Sequence, residues 1–303
     1  MGETRGAAVA ASTCAGSKTS VEALFTEQPC IHLEYSIAGI EGTALSTFFR
    51  SNYFGSTALD RGSFRMHDLS RRVRLSELMD EPCSYHDLRA CLKDLAEVNR
   101  TTVAYRPTLQ WLEQFARSPF QGRSLHIVDI GCGGGDMLRR IESWAMRRQI
   151  AVKLTGIDLN PYAVRAAREF TEAGSQIRWI IGDAYSIDTT AESIDLVISS
   201  LFTHHLEDHE ILRYLNWMER VAQRGWFISD LRRSWPSYFG FKALAMAVDW
   251  HIFIRHDGPV SIRRAFRPAE WRQYVEASGL PRHSIRIDAH WPGRISVSRK
   301  KRR

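Results

Sequence analysis

Asp129, Asp158, Asp183 and Asp230 each lie at or just past the end of a short apolar run rich in branched side chains, and two adjacent histidines, His204 and His205, follow another. An ionised carboxylate only accepts hydrogen bonds, which suits it to gripping sugar hydroxyls. An imidazole or a carboxylate can also take the proton of a reacting hydroxyl near neutral pH. Beside Asp129 runs Gly131-Cys-Gly-Gly-Gly135, four glycines in five positions. Bare backbone of this kind admits a nucleotide at close range and aims the next helix N-terminus at it. These residue types point to a bound nucleoside with group transfer beside it.

The elements that must position these groups are legible in the patterning. Leu125 to Ile130 reads as a buried strand, and Met137-Leu-Arg-Arg-Ile141 resumes at helical spacing. Val152 to Ile157, Ile177 to Ile181, Asp195 to Ser199 and Trp226 to Asp230 read as further strands. Alternation of these with helical stretches is the sign of a parallel sheet covered on both faces. Asn160 is placed to cap a helix whose first residue is Pro161. His283 to His290 and Arg294 to Ser298 alternate around Trp291-Pro-Gly293, as a hairpin would.

The glycine spacing discriminates between cofactors. A dinucleotide fingerprint counted from Gly131 would need a third glycine where Asp136 stands. The pattern instead is acidic-x-Gly-x-Gly-x-Gly over Asp129, Gly131, Gly133 and Gly135. This resembles the first motif of the class I methyltransferases that use S-adenosyl-L-methionine. The resemblance covers about residues 73 to 300, rests on four motifs in the family's order, and is strongest to the small-molecule branch of quinone-pathway and polyketide-tailoring enzymes. It implies an α/β, Rossmann-like seven-stranded sheet with a reversed last strand, a helical N-terminal cap and a helical insertion over the acceptor.

The same resemblance assigns roles. Asp129, Gly131, Cys132, Gly133 and Gly135 would cradle the methionine moiety. Asp158, beside Leu159, would hold the ribose, and Asp183 with Ala184 the adenine. Ser199 would face the cofactor from the fourth strand, and Arg100, in the cap with Asn99, Tyr105 and Arg106, would meet its carboxylate. Candidate bases are His205, its neighbour His204, and His256 in the insertion, with Asp230 at the end of the fifth strand. Quinone-precursor enzymes carrying Glu-x-x-Glu-His after the fourth strand can hold a metal; Leu201, His204 and His205 stand here instead, so no metal is expected.

Three organisational units are expected: a poorly patterned extension over 1–72, a helical cap over 73–122, and a cofactor-binding core over 123–303 with an aromatic-rich insertion at about 235–266. The insertion, with Trp235, Tyr238, Phe239, Phe241, Trp250 and Phe253, would line a site for a phenol, quinol or polyketide-like acceptor. The 303 residues suffice for a sizeable core, and 44% hydrophobic with 25% charged residues is an ordinary globular balance. Five cysteines without metal-type pairing fit a reducing, cytoplasmic setting. The Ala7–Ala11 run is too short and too weakly apolar for a secretory leader, and Lys242, Asp249 and His251 interrupt the apolar stretch at 238–254, so no membrane span is expected. A net charge of +7 permits RNA contact without demanding it. An RNA methyltransferase, a nicotinamide-dependent reductase and a catalytically silent cofactor-binding scaffold therefore stay as alternatives. Oligomeric state is not legible.

Overall fold

The computed structural model describes residues 68–116, 124–187 and 193–301. Most of the expected 1–72 extension lies outside the described residues. Its last five positions are not loosely attached: Leu69 is buried and its carbonyl accepts from Arg233 Nε at 3.0 Å, while Arg72 stacks over the Phe266 ring at 4.2 Å. The folded region therefore begins earlier than residue 73.

Among the described residues, one seven-stranded sheet runs in the order β3-β2-β1-β4-β5-β7-β6. Its strands are β1 (Leu125–Ile130), β2 (Val152–Asp158), β3 (Arg178–Ile181), β4 (Ile194–Ser200), β5 (Ala222–Leu231), β6 (Ile285–His290) and β7 (Arg294–Lys300). The first five are parallel, and β7 enters antiparallel between β5 and β6. This is the reversed last strand that the sequence suggested. The order turns back on itself between β1 and β4, the switch point at which open α/β sheets bind ligands.

Side chains alternate across the sheet, so each strand feeds two cores. On one face Leu125, Ile127, Leu154, Leu196 and Phe227 meet helices α2 (Arg106–Ala116), α3 (Asp136–Arg148) and α4 (Pro161–Glu169). On the other, Val128, Val197, Trp226 and Val297 meet α5 (Asp208–Val221) and α8 (Pro268–Ala277) through Tyr214, Met218 and Trp271. Ahead of these comes α1 (Tyr85–Thr101), started by the Ser84 side chain accepting from Asp87 N–H. Its Leu88 and Leu92 pack on Ala163 and Ala166 of α4. Its Cys91 and Val98 pack on the insertion, against Ala245 of α6 (Trp235–Ala247), Ile254 of α7 (Ile252–Arg264) and Trp250 in the link between them. Cap and insertion thus close against each other above the switch point. No helix among the described residues is long and apolar enough to cross a membrane.

Candidate active site

The glycine loop is folded as its composition requires. Gly131 has φ +66°, and a Cβ there would lie 2.5 Å from the Phe202 ring. The Asp158 carboxylate at the tip of β2 accepts from Gly133 N–H at 2.8 Å and Asn160 N–H at 2.9 Å, tying loop to strand end. Asp129 is buried beneath the loop, and one of its oxygens has no hydrogen-bond partner among the described residues. Burial pushes its carboxyl well above the usual range, and the nearby Asp136 and Asp158 carboxylates push the same way. Asp158 is also raised, by burial first, against the pull of its two backbone donors.

These groups line a cavity of about 600 Å³ running from Asp183 and Ala184 past Asp158 and Leu159 to the glycine loop. A cationic nucleoside fits this donor set. The orphaned Asp129 oxygen and the clustered carboxylates favour positive charge, and Asp158 retains acceptor capacity toward hydroxyls. At the far end, Asp136 accepts from Asn99 Nδ2 at 3.0 Å and from the Tyr105 hydroxyl at 2.8 Å. Arg294 reaches across from β7 to Asn99 Oδ1 at 3.3 Å and Thr102 Oγ1 at 3.2 Å. Burial lowers the Arg294 pKa to about 10, against the pull of Asp230 and Asp136, so it remains a cation at neutral pH.

A second cavity, of about 780 Å³, adjoins the first between α1, α6 and α7. Its wall is mostly apolar, with Leu95, Val98, Phe241, Leu244, Ile254 and Ile262, and the hairpin turn Trp291–Gly293 forms its rim. Met79, Leu95, Asn99, Leu201, His205 and Arg294 line both cavities and mark where they meet.

The ionisable groups at that junction come from four separated stretches. Leu201, with φ +56°, turns the chain out of β4 into the Thr203–His205 turn. Asp230 on β5 anchors this turn: it accepts from His204 N–H at 3.0 Å and from Thr203 Oγ1 at 2.5 Å, and faces His204 Nδ1 at 2.7 Å. Burial works against ionising Asp230, but His204 and these donors outweigh it and hold its carboxyl at about 2. Glu77, 2% exposed, enters from the segment ahead of α1 and accepts from Ser261 Oγ at 2.9 Å. Asp257 on α7 fixes that segment by accepting from Leu78 N–H at 2.8 Å and Met79 N–H at 3.1 Å. Burial raises the Glu77 pKa, although His205 and Arg264 favour its charge. Glu77, His204 and His205 each offer a ligand atom, all within 4.8 Å of one another.

Several expected site residues fall elsewhere. Arg100 points outward to Glu97 at 3.0 Å and lines neither cavity, whereas Arg294 lines both. His256 is on the exposed side of α7, its Nδ1 2.7 Å from Asp257, and also lines neither. Ser199 is buried within β4, and the next residue, Ser200, faces the first cavity instead, because strand side chains alternate. Gly135 caps α3 over the Trp179 ring and does not line the cavity, whereas Gly131, Cys132 and Gly133 do. Asp230 lies beneath His204, outside both linings, and orients it. Glu77, Asp136 and Arg294 were not anticipated. Glu77 carries no local signal, whereas an arginine opening the otherwise apolar-and-serine run 294–298 could have marked Arg294.

Comparison with known proteins agrees with the fold. Residues 127–225 match the family model described as a methyltransferase domain. A demethylmenaquinone methyltransferase of Bacillus licheniformis is 23% identical over 176 residues, covering 57% of this chain and 72% of that protein. Nodulation protein S of Sinorhizobium fredii is 27% identical over 93 residues, 31% of this chain and 40% of its own length. Among solved structures, the plantazolicin methyltransferase BpumL in complex with a triazolic desmethylPZN analog and SAH aligns with a TM-score of 0.52 at 15% identity, over 72% of this chain and 97% of that one. At that identity the likeness speaks for the fold.

Proposed function

We propose that the chain is a class I methyltransferase that uses S-adenosyl-L-methionine, in keeping with the methyltransferase-domain match over residues 127–225, and that it methylates an oxygen of a hydroxylated, largely apolar small molecule. The observation that carries the reading is the junction: a cavity of about 780 Å³ with a mostly apolar wall opens onto the cofactor cavity beside the buried His204, the partly exposed His205 and buried carboxylates. Such a chamber suits a phenol, quinol or polyketide-like acceptor. A demethylmenaquinone methyltransferase and a plantazolicin methyltransferase among the similar proteins are in keeping with a small-molecule acceptor.

In this reading the nucleoside lies along Asp183, Asp158 and the glycine loop, with its amino acid end toward Asp129, Asn99 and Arg294. Bound there, S-adenosyl-L-methionine would supply an electrophilic methyl group to the acceptor oxygen, its sulfur keeping the electron pair of the broken sulfur–carbon bond as a neutral thioether, while the two adjoining cavities would hold donor and acceptor in line. Holding both reactants in this alignment supplies much of the rate. The acceptor sheds its hydroxyl proton at the junction, where His204, His205 and Glu77 are the groups at hand. Arg232 and His290 also line the chamber.

The test is incubation with isotopically labelled cofactor and phenolic, quinol and polyketide acceptors, followed by mass spectrometry. The reading predicts an O-methyl product with at least one class, and its loss in His205→Ala protein that still binds cofactor. Methylation of RNA, or of none of the acceptors by cofactor-loaded protein, would contradict it.

A further inference from the structure

Two imidazole nitrogens face one buried carboxylate at the junction without bonding to it. His204 Nε2 lies 3.7 Å from Glu77 Oε1, and His205 Nε2 lies 3.9 Å from Glu77 Oε2. Both separations are too long for a hydrogen bond. They are near the edges of a coordination polyhedron: ligand distances of about 2.0–2.2 Å put neighbouring ligands roughly 3.3 Å apart. The two Glu77 edges exceed this by about half an ångström, and the ligand atoms of all three residues lie within 4.8 Å of one another.

The surroundings are those that metal-binding histidines require. His204 Nδ1 is 2.7 Å from Asp230, and His205 Nδ1 is 3.3 Å from Asp80. Carboxylates behind the ring fix the tautomer that leaves Nε2 free to ligate, and raise its basicity. Arg264 also reaches His205 Nδ1 at 3.2 Å, but the same guanidinium serves Asp80 at 2.9 Å and Leu75 O at 3.1 Å, so turning Nδ1–H toward Asp80 leaves it well bonded. Charge points the same way. Glu77, Asp80 and Asp230 stand against Arg264, two negative charges in excess when both imidazoles are neutral. The other neighbouring cations are engaged by other carboxylates: Arg72, which donates to His204 O, pairs with Asp208 at 3.0 Å, and Arg294 is shared between Asp230 and Asp136.

We propose that Glu77, His204 and His205 form a binding site for a divalent first-row transition cation at the junction of the two cavities. Two imidazoles and a carboxylate with positions left open suit zinc, iron(II), cobalt(II) or manganese(II). His204 and His205 face the acceptor chamber, so an open position is available to the acceptor oxygen. Coordination there lowers the pKa of a hydroxyl, whose proton passes to water at the half-exposed Asp80 edge, leaving an oxyanion as nucleophile for the methyl group. This step rests on the methyltransferase reading; the cation site does not. The expectation of no metal considered only the residues after β4, and Glu77 lies far from them in sequence.

Full-length protein stripped with a chelator is titrated with zinc alone, with cobalt(II) alone and with S-adenosylmethionine alone. The proposal predicts one zinc or cobalt ion per chain, visible cobalt absorption of a nitrogen-ligated site, and X-ray absorption of the zinc form showing two imidazoles. Glu77→Gln and His204→Ala/His205→Ala should abolish stoichiometric binding. Asp80→Asn, which leaves all three ligands in place, should weaken it about 10–100-fold. Folded protein that binds the cofactor but takes up neither ion, or a bound ion without imidazole ligands, overturns the cation site and leaves the methyltransferase reading standing. Uptake of the ion without uptake of the cofactor does the reverse. If the variants fail to fold, the absorption spectrum of the wild-type protein still decides.

Discussion

Asp129, Asp136 and Asp158 crowd three carboxylates under one loop, and burial raises two of them above their ordinary range. A group whose folded pKa is raised contributes stability fully below its unfolded value of 3.8 and loses it as pH rises through the folded value. At neutral pH these residues therefore oppose folding, and a cationic cofactor offsets them. Because the cation favours the ionised carboxylates, its binding should release protons at pH values above 3.8, where the raised carboxyls still hold them. Calorimetry in buffers of differing ionisation enthalpy measures this; proton uptake would contradict it. Asp230 behaves oppositely: its contribution is present above 3.8 and is lost as pH falls toward about 2. Gly131→Ala places a methyl against Phe202 in a left-handed backbone. It should cost about 1–3 kcal/mol of stability and at least tenfold in cofactor affinity, read by thermal melting and titration. At this scale a strand end placed Asp158 beside the first cavity and His205 at the junction, but not Asp230, which lies beneath His204. The sequence was silent on Asn99 pairing with Asp136, and it pointed to Arg100 because a helix end shows no facing direction in one dimension.

The helices that roof the site are joined to it through the segment around Leu78. Asp257 on α7 holds Leu78 and Met79 by their backbone N–H groups and so sets where Glu77 enters. Asp257→Asn keeps the shape and weakens this tie. It should lower kcat/KM for the acceptor about tenfold while cofactor affinity stays within about twofold, since Asp257 lines only the acceptor chamber. Equal loss of both would show a general disturbance of the fold. The strands were legible because a parallel sheet buries both faces and leaves uninterrupted apolar runs. The insertion was legible only as a composition. α6 carries apolar residues around its circumference, with Phe239 and Met246 exposed and Tyr238 and Ala245 buried, so no stripe announces its inner face.

Across the molecule, the site is assembled from both ends of the described chain. Arg72 donates to the carbonyls of His204 and Leu206, Glu77 enters the junction, and Arg294 arrives from the last strand. Such contacts depend on topology, and no local pattern carries them; the order β5-β7-β6 alone brings Arg294 beside Asn99. The lower core depends on Trp271, fully buried against Phe266. Trp271→Ala should cost about 3–5 kcal/mol in denaturant unfolding, with cofactor affinity of the folded fraction unchanged. All of this presumes that a sulfonium nucleoside occupies the cavity over β1, β2 and β3. Titration calorimetry of wild-type and Asp158→Ala protein with S-adenosylmethionine tests that most directly. The account predicts one molecule bound per wild-type chain and affinity reduced about 10–100-fold by the substitution. Tight uptake of a nicotinamide dinucleotide by folded protein that ignores S-adenosylmethionine would contradict it.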